Sequence, residues 1–390
     1  MTATRRATTD PLSGMGRRIV FVTNGNPIGG AETQLLRLAA HLHASGDRVL
    51  VLSLLPNPHM VERLAAAGIP IATAPLGRRL RGVSAVAWAT ARMRAWRPDA
   101  VIAFVYQSVI VGRVAARLAG VPVVISSIRN EWIGGRHRDL LARLTDRLAD
   151  VTVVNSELAG RSLAGRGAIE TSRCRVVPNG IELGRYGEST ADRDVVREQL
   201  GVGGGAFVWL AAGRLVPQKD YKTMLAAFER VAGDRDTRLL IAGDGPLRAA
   251  LEQWAASAGM SDLVRVLGHR DDMPALLQAA DALVMSSSWE GLPNVVIEAL
   301  ASARPVVATA VGGVPELLEE GSTGHLVAPG DVAALADAMS RLMETPAPQR
   351  ETMGASARAA VGRFDWTDVA SRWSSLIDEQ LAGARKVVAR

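Results

Sequence analysis

Seven short, nearly unbroken apolar runs occupy the first half of the chain, at residues 17–23, 49–54, 69–73, 100–104, 121–126, 151–154 and 175–177. Between them, as at residues 31–43, apolar side chains recur at helical spacing. Runs of this kind suit parallel strands buried on both faces, with helices as the crossovers. From residue 182 the alternation loosens, and it closes on Gly203-Gly204-Gly205. A second series then follows at 207–212, 238–242, 264–267, 282–285, 306–309 and 325–327. The pattern predicts an α/β chain of two doubly wound domains facing a central cleft. Residues 1–16 read as a disordered tail, 17–185 as the first domain, 186–205 as a linker and 206–366 as the second domain. A last helix within 367–390 carries Trp373 and Leu376, placed to pack back on the first domain.

Composition narrows the class. With 390 residues, 48% hydrophobic and 22% charged, the chain suits two soluble globular cores. The single cysteine, Cys174, rules out an intramolecular disulfide and a cysteine-rich metal site, and suits a reducing cytosol. The start carries Arg5 and Arg6 without an apolar core, so no secretory signal is read there. No run approaches the roughly 20 residues of a membrane span. The expected location is the cytoplasm, with peripheral contact to the inner face of the cell membrane as an option.

The net charge of +6 is uneven: residues 1–180 hold 24 arginines and 11 acids, about +13, which leaves about −7 for the remainder. Arg78, Arg79, Arg81, Arg92, Arg94 and Arg97 flank the apolar segment 83–96, which includes Trp88. A basic helix with an interfacial tryptophan fits an anionic membrane, although a solvated helix face gives the same pattern. No recognised motif accompanies the arginines, so nucleic acid is not expected as a partner.

Three stretches carry candidate chemistry. The first is Glu290-Gly291-Leu292-Pro293-Asn294-Val295-Val296-Ile297-Glu298, which follows the run at 282–285 and Ser286-Ser287-Ser288-Trp289. It places one carboxylate on a loop at a strand's carboxyl end and one on a helix beginning near Asn294. Free amides at that helix start favour an anion, while carboxylates accept from hydroxyls, so the loop suits a ligand carrying both phosphate and sugar. The second is Gly213-Arg214-Leu215 with Lys219, two cations able to clamp a diphosphate. The third is the turn Gly25-Asn26-Pro27-Ile28-Gly29-Gly30-Ala31-Glu32, where adjacent glycines let backbone approach a bulky anion. Its spacing is not Gly-x-Gly-x-x-Gly, which weakens a nicotinamide reading.

Taken in order, Gly29-Gly30-Ala31-Glu32, Pro178-Asn179-Gly180-Ile181, Gly213-Arg214-Leu215 with Lys219, Gly243-Asp244-Gly245-Pro246, Glu290 to Asn294, Glu298-Ala299 and Gly312-Gly313-Val314-Pro315-Glu316 make a resemblance. The chain resembles the retaining family-4 glycosyltransferases of the GT-B fold over nearly its whole length. That resemblance implies two Rossmann-like domains and a nucleoside-diphosphate sugar held mainly by the second. It implies that Arg214 and Lys219 neutralise the diphosphate, that Glu290 orients the transferred sugar, and that Glu298 accepts from ribose hydroxyls. Gly291, Leu292, Pro293, Asn294 and Val295 would line the phosphate and sugar, Gly29 and Gly30 would approach from the first domain, and Gly243 and His269 would border the pocket. Glu290, Arg214 and Lys219 are thus the catalytic candidates.

Acceptor contacts are expected around Asn26, Tyr106, Gln107, Arg129 and Asn130, for a saccharide, glycolipid or small-molecule acceptor. Many relatives carry a histidine on the loop after the strand matched by 121–126; this chain has Ser127-Ile128-Arg129-Asn130 there. Glu182 stands where an aspartate usually follows Pro-Asn-Gly-Ile. Asp234-Arg235-Asp236 reads as a surface turn and not as a metal site. No cofactor or metal is expected, because the two cations take the role of a divalent ion. The expected reaction is a front-face substitution in polysaccharide or glycolipid assembly, from a UDP-sugar in preference to a GDP-sugar. A sugar-nucleotide epimerase and a non-catalytic nucleotide-sugar-binding protein are the rivals; the first needs acid and base residues for a sugar proton that the sequence does not offer.

Overall fold

In the computed structural model, residues 16–25, 29–75, 82–187, 192–233 and 235–388 are described. Asn26, Arg78, Arg79, Arg81, Asp234 and most of the expected tail lie outside them. Seven strands form one parallel sheet: β1 (Arg18–Thr23), β2 (Arg48–Ser53), β3 (Ile71–Thr73), β4 (Ala100–Phe104), β5 (Val123–Ile128), β6 (Val151–Val154) and β7 (Cys174–Val176). Six more form a second: β8 (Phe207–Ala212), β9 (Thr237–Ala242), β10 (Val264–Gly268), β11 (Ala282–Met285), β12 (Val306–Thr309) and β13 (Gly324–Val327). The orders are β3-β2-β1-β4-β5-β6-β7 and β10-β9-β8-β11-β12-β13. Each sheet therefore runs outward one way from its first strand, then returns and runs the other way from its fourth. Helices cover both faces, and every strand in the centre of each sheet is buried. The expected two-sheet α/β architecture is the one observed.

The closing helix, Trp366–Val388, packs against the first sheet and not the second. Val369, Trp373, Leu376, Ile377 and Leu381 join the core around Ile19, Phe21 and Phe104, and the Trp373 and Phe104 rings stack 6.0 Å apart. The chain therefore passes between the two units twice. These passages lie side by side: Ile181 N donates to Phe364 O at 2.9 Å and Trp366 N to Ile181 O at 2.8 Å.

The expected linker, 186–205, is not irregular throughout. It contains the helix Arg193–Gln199, fixed to the second unit by its arginines. Arg193 and Arg197 both reach Asp281, at 2.6 and 2.7 Å, and Asp281 also accepts from Val208 N at 2.7 Å. Among the described residues no helix is long and apolar enough to cross a membrane. In the helix Val83–Trp96, Trp88 is half-buried against the first core and Trp96 lies under the Arg18 guanidinium. Neither indole stands free on an outward face.

Candidate active site

Ligands in open α/β sheets bind at the carboxyl edge where the strand order reverses. In the second sheet that point lies between β8 and β11, which pair directly. The turn after β8 carries Lys219 and the loop after β11 carries Glu290. Strand pairing brings them together across 71 positions, with Lys219 Nζ 2.6 Å from Glu290 Oε1. Ser287 Oγ donates to the same oxygen at 2.8 Å. The loops are braced elsewhere: Gln218 Nε2 donates to Trp289 O at 2.8 Å, and the Ser286 hydroxyl lies 2.9 Å from the carbonyls of Lys219 and Asp220. Arg214 is exposed on this turn, with no ion-pair partner among the described residues.

Next to the pair, the helix Asn294–Ala301 begins with Pro293 at its N-cap and no side chain capping it. Its first-turn amides are thus suited to an anion. The floor is low because Gly243 (φ +155°) leaves no room for a side chain: a Cβ there would stand 1.9 Å from Gly213 O. Gly243 N donates to Gly268 O at 2.7 Å, tying three strand ends together. His269 follows, exposed, with Nε2 3.5 Å from an Asp271 oxygen.

The first unit closes over this loop. Glu131 Oε1 accepts from Gly312 N at 2.9 Å and Glu290 N at 3.4 Å, and Glu131 N donates to Glu290 O at 3.1 Å. A Cβ on Gly291 would lie 2.2 Å from Arg129 O, so the two backbones touch at a point only glycine permits. Asn179 Nδ2 donates to Leu292 O at 2.6 Å and Asn294 Oδ1 at 2.7 Å. Asn294 in turn faces the first glycine turn: its Nδ2 is 3.6 Å from where a Cβ of Gly30 would stand, with Gly29 as the helix N-cap. The Trp132 and Trp289 rings meet at 4.7 Å.

Glu298 lies one turn along the helix from Asn294 and accepts a hydrogen bond from Tyr186. Burial raises its carboxyl pKa above the ordinary range, while Tyr186, Arg37 and Arg185 oppose that shift. Burial also raises the Tyr186 phenol.

The first sheet's own reversal point is neutral. After β1, Asn24 Nδ2 donates to Gln107 Oε1 at 2.5 Å, and Ser108 Oγ donates to Asn24 Oδ1 at 2.6 Å. Val105, between β4 and these residues, holds φ at +71°, a strained conformation for a β-branched side chain. Tyr106 OH donates to Arg138 O at 3.3 Å, and Asn130 Oδ1 accepts from Trp132 N at 3.3 Å. Arg129 turns inward and is buried. Its Nη1 donates to Val177 O at 3.1 Å and its Nη2 to Asn179 Oδ1 at 2.7 Å, over the Phe104 ring. Burial lowers its pKa to about 9. It orders the Asn179 loop and does not project into the cleft. Asp236 sits at the amino end of β8, its carbonyl accepting from Phe207 N, on the edge opposite Lys219.

Lys219, Glu290, Gly291 to Val295 and Gly243 therefore gather at the carboxyl edge of the second sheet, and Gly29 and Gly30, after β1 of the first sheet, face them across Asn294. Sequence reasoning missed Glu131 and Tyr186 and gave Asn179 no role of its own. Asn179 stood within a motif, whereas Glu131 offered no signal beyond following Arg129-Asn130.

Residues 28–185 match the glycosyltransferase family 4 model and residues 206–345 the model of glycosyl transferases group 1. The chain is similar to the UDP-Gal:alpha-D-GlcNAc-diphosphoundecaprenol alpha-1,3-galactosyltransferase of Escherichia coli, 27% identical over 250 residues, 60% of this chain and 64% of that one. It is similar to the 2-deoxystreptamine glucosyltransferase of Streptomyces kanamyceticus, 29% identical over 365 residues, 81% of this chain and 90% of that one. The chain thus spans just under two thirds of the first relative and most of the second. HepE of Anabaena in complex with UDP-glucose superposes with a TM-score of 0.81 and 26% identity, over 94% of this chain and 100% of that one. Sucrose-phosphate synthase from Thermosynechococcus elongatus shares the fold, with a TM-score of 0.81 and 21% identity over 94% of this chain and 100% of that one.

Proposed function

Because the chain belongs to the family-4, group 1 glycosyltransferases of the GT-B fold, we propose that it moves a hexose-type sugar from a nucleoside-diphosphate sugar to a hydroxyl acceptor with retention of configuration. The observation that carries this reading is the Lys219–Glu290 contact where β8 meets β11. An ammonium has three protons, so Lys219 can hold Glu290 and a phosphate oxygen together. Arg214 would share the diphosphate charge, and the amides from Gly291 to Val295 would add to it. Gly29 and Gly30 would approach from the other side. Glu298 would accept from the ribose hydroxyls as it accepts from the Tyr186 phenol. UDP is favoured because the E. coli relative uses UDP-Gal and HepE is seen with UDP-glucose; GDP is the alternative.

In this scheme the acceptor oxygen attacks the anomeric carbon on the face the phosphate leaves. The carbon–phosphate oxygen bond breaks as the new glycosidic bond forms, and the departing diphosphate oxygen takes the acceptor's proton. Charge grows on that oxygen, where Lys219, Arg214 and the amides are already oriented, so no divalent ion is required. Closure through Glu131 and Asn179 would exclude water and limit hydrolysis. The acceptor is a saccharide or glycolipid of cell-surface or exopolysaccharide assembly, reached at the cytoplasmic membrane face. A small-molecule acceptor is the second reading, favoured by the match across 90% of the 2-deoxystreptamine glucosyltransferase.

Calorimetry with UDP, GDP, ADP and NAD in the presence of EDTA tests the donor site, comparing wild type with Glu298→Ala. One nucleoside diphosphate should bind without metal and bind more weakly to the variant. Binding of NAD alone, or of none of the four, would remove the donor-site reading.

A further inference from the structure

Asn179 is buried where the chain first passes from one unit to the other, and the atoms around it fix which way its amide faces. The Arg129 guanidinium donates and has no acceptor, so the Asn179 atom 2.7 Å from its Nη2 must be the carbonyl oxygen. The Asn179 nitrogen therefore faces the second unit, where it meets Leu292 O at 2.6 Å, an atom that can only accept. It also donates to Asn294 at 2.7 Å, so the Asn294 atom placed there is Oδ1. The backbone of this loop is pinned as well: Gln34 exchanges two bonds with Gly180, at 2.7 and 2.9 Å, and Arg37 adds a third to Gly180 O at 3.1 Å.

One end of the Asn294 amide is thereby committed, and among the described residues the other end, Nδ2, donates to nothing. Nδ2 lies 3.6 Å from where a Cβ of the exposed Gly30 would stand, nearer than Cγ at 3.8 Å or Oδ1 at 4.0 Å. It points into the space between two helix starts, Gly30–Ala44 and Asn294–Ala301, neither of them capped by a side chain. Both helix ends favour an anion, and an amide nitrogen between them offers donors and no acceptor. We infer that Asn294 Nδ2 is a side-chain donor to the diphosphate, and that Arg129 and Asn179 are positioning residues whose relay holds that nitrogen toward the cleft. This role rests on the donor-site reading and adds a side chain to the backbone amides placed there. The inward turn of Arg129 then has a use: through Asn179 it selects which end of the Asn294 amide meets the ligand, and the carbonyl end would repel phosphate. Arg129 belongs to the first unit and Asn294 to the second, so the amide is held in this sense only while the two are together.

The test is calorimetry of the full chain with UDP, GDP and ADP in EDTA, each paired with its nucleoside followed by ligand-observed NMR. Asn294→Ala should melt close to wild type, weaken the diphosphate that binds roughly tenfold and leave its nucleoside unchanged, the cost of one hydrogen bond to a charged group. Asn294→Asp keeps the shape, places an oxygen where the nitrogen stood and should weaken the diphosphate roughly a hundredfold. Asn179→Asp still accepts from Arg129 but offers Asn294 a second oxygen, so the Asn294 amide turns its nitrogen away from the cleft. Diphosphate affinity should then fall roughly tenfold when Asn294 is present and about twofold in an Asn294→Ala background. Arg129→Met, which frees Asn179 to turn, should show the same dependence on Asn294 at roughly threefold. Equal losses with and without Asn294 would make Arg129 and Asn179 structural residues and overturn the relay. Unchanged diphosphate binding by Asn294→Ala, or a nucleoside weakened as much as its diphosphate, would remove the inference alone. Failure of wild type to bind any of the three diphosphates would remove the donor-site reading with it.

Discussion

The two sheets reverse their strand order at equivalent places, yet they fill those places with different chemistry. Between β1 and β4 the residues are Asn24, Gln107 and Ser108, a neutral network linked at 2.5 and 2.6 Å. Between β8 and β11 they are Lys219, Glu290 and Ser287, linked at 2.6 and 2.8 Å. Geometry alone could have been met by neutral groups in both. A partly buried ion pair costs desolvation that a neutral network avoids, and stability gives little reason to retain it. The charged version is explained if the second point must face a charged ligand and the first a hydroxylated one. Arg129, on the loop after β5, is directed inward onto Asn179 and Val177 and adds no charge to that network.

The largest effect expected from this contrast is at Lys219. Lys219→Met should lower turnover by about 10²- to 10³-fold, the usual cost of losing one oriented donor to a developing anion. It should also destabilise the fold, because Glu290 is left buried with Ser287 alone. The double variant Lys219→Met, Glu290→Gln separates the two effects. It should melt close to wild type in calorimetry and remain inactive in a sugar-transfer assay. Recovery of activity along with stability would make the pair a structural brace and end the contrast.

An effect of intermediate size is expected at Glu131, which joins the two edges. Its carboxylate receives Gly312 N and Glu290 N, and its own amide reaches Glu290 O. Glu131→Ala should lower kcat/KM about tenfold through loss of closure, since each charge-assisted bond to backbone is worth about 1.5–3 kcal/mol, and only part of that falls on the closed state. Small-angle scattering should report a larger radius of gyration in the variant with UDP bound. An unchanged radius and unchanged kinetics would show that closure does not depend on this clasp.

The difference between Glu290 and Glu131 also marks what the sequence can disclose. The strands were legible because strands covered on both faces must be apolar without interruption, and all thirteen expected runs coincide with strands. Glu290 was legible because it sits on the stretch joining such a strand to a helix. Glu131 lies on a loop whose backbone is irregular, and its partners come from residues about 159 and 181 positions away. No periodicity links them. The helix Arg193–Gln199 was hidden for another reason. Its arginines look solvated in sequence, but they are consumed by Asp281 and by carbonyls of the second unit. Arg129 misled in the same way: a cation on a cleft-edge loop is read as facing a ligand until its donors are traced.

The smallest effect should come from Glu298, and its sign depends on pH. Burial raises its carboxyl pKa above the unfolded value, so the folded state binds that proton more tightly than the unfolded chain does. The stability this contributes is complete below the ordinary carboxylate range and is lost as pH rises through the raised value. Above that raised value the carboxylate is charged while partly buried, a cost that glutamine would not carry. Glu298→Gln should therefore melt about 1–3 °C above wild type at pH 7.5, where 1 kcal/mol corresponds to roughly 2–4 °C for a domain of this size. Near pH 4 the difference should shrink to nothing or reverse. UDP affinity should still fall roughly fivefold, because a neutral acceptor binds a hydroxyl less strongly than a carboxylate. A gain in stability that is the same at both pH values would place its origin in packing, whereas a pH-dependent gain combined with weaker UDP binding ties the buried charge at the second sheet's edge to the ligand it faces.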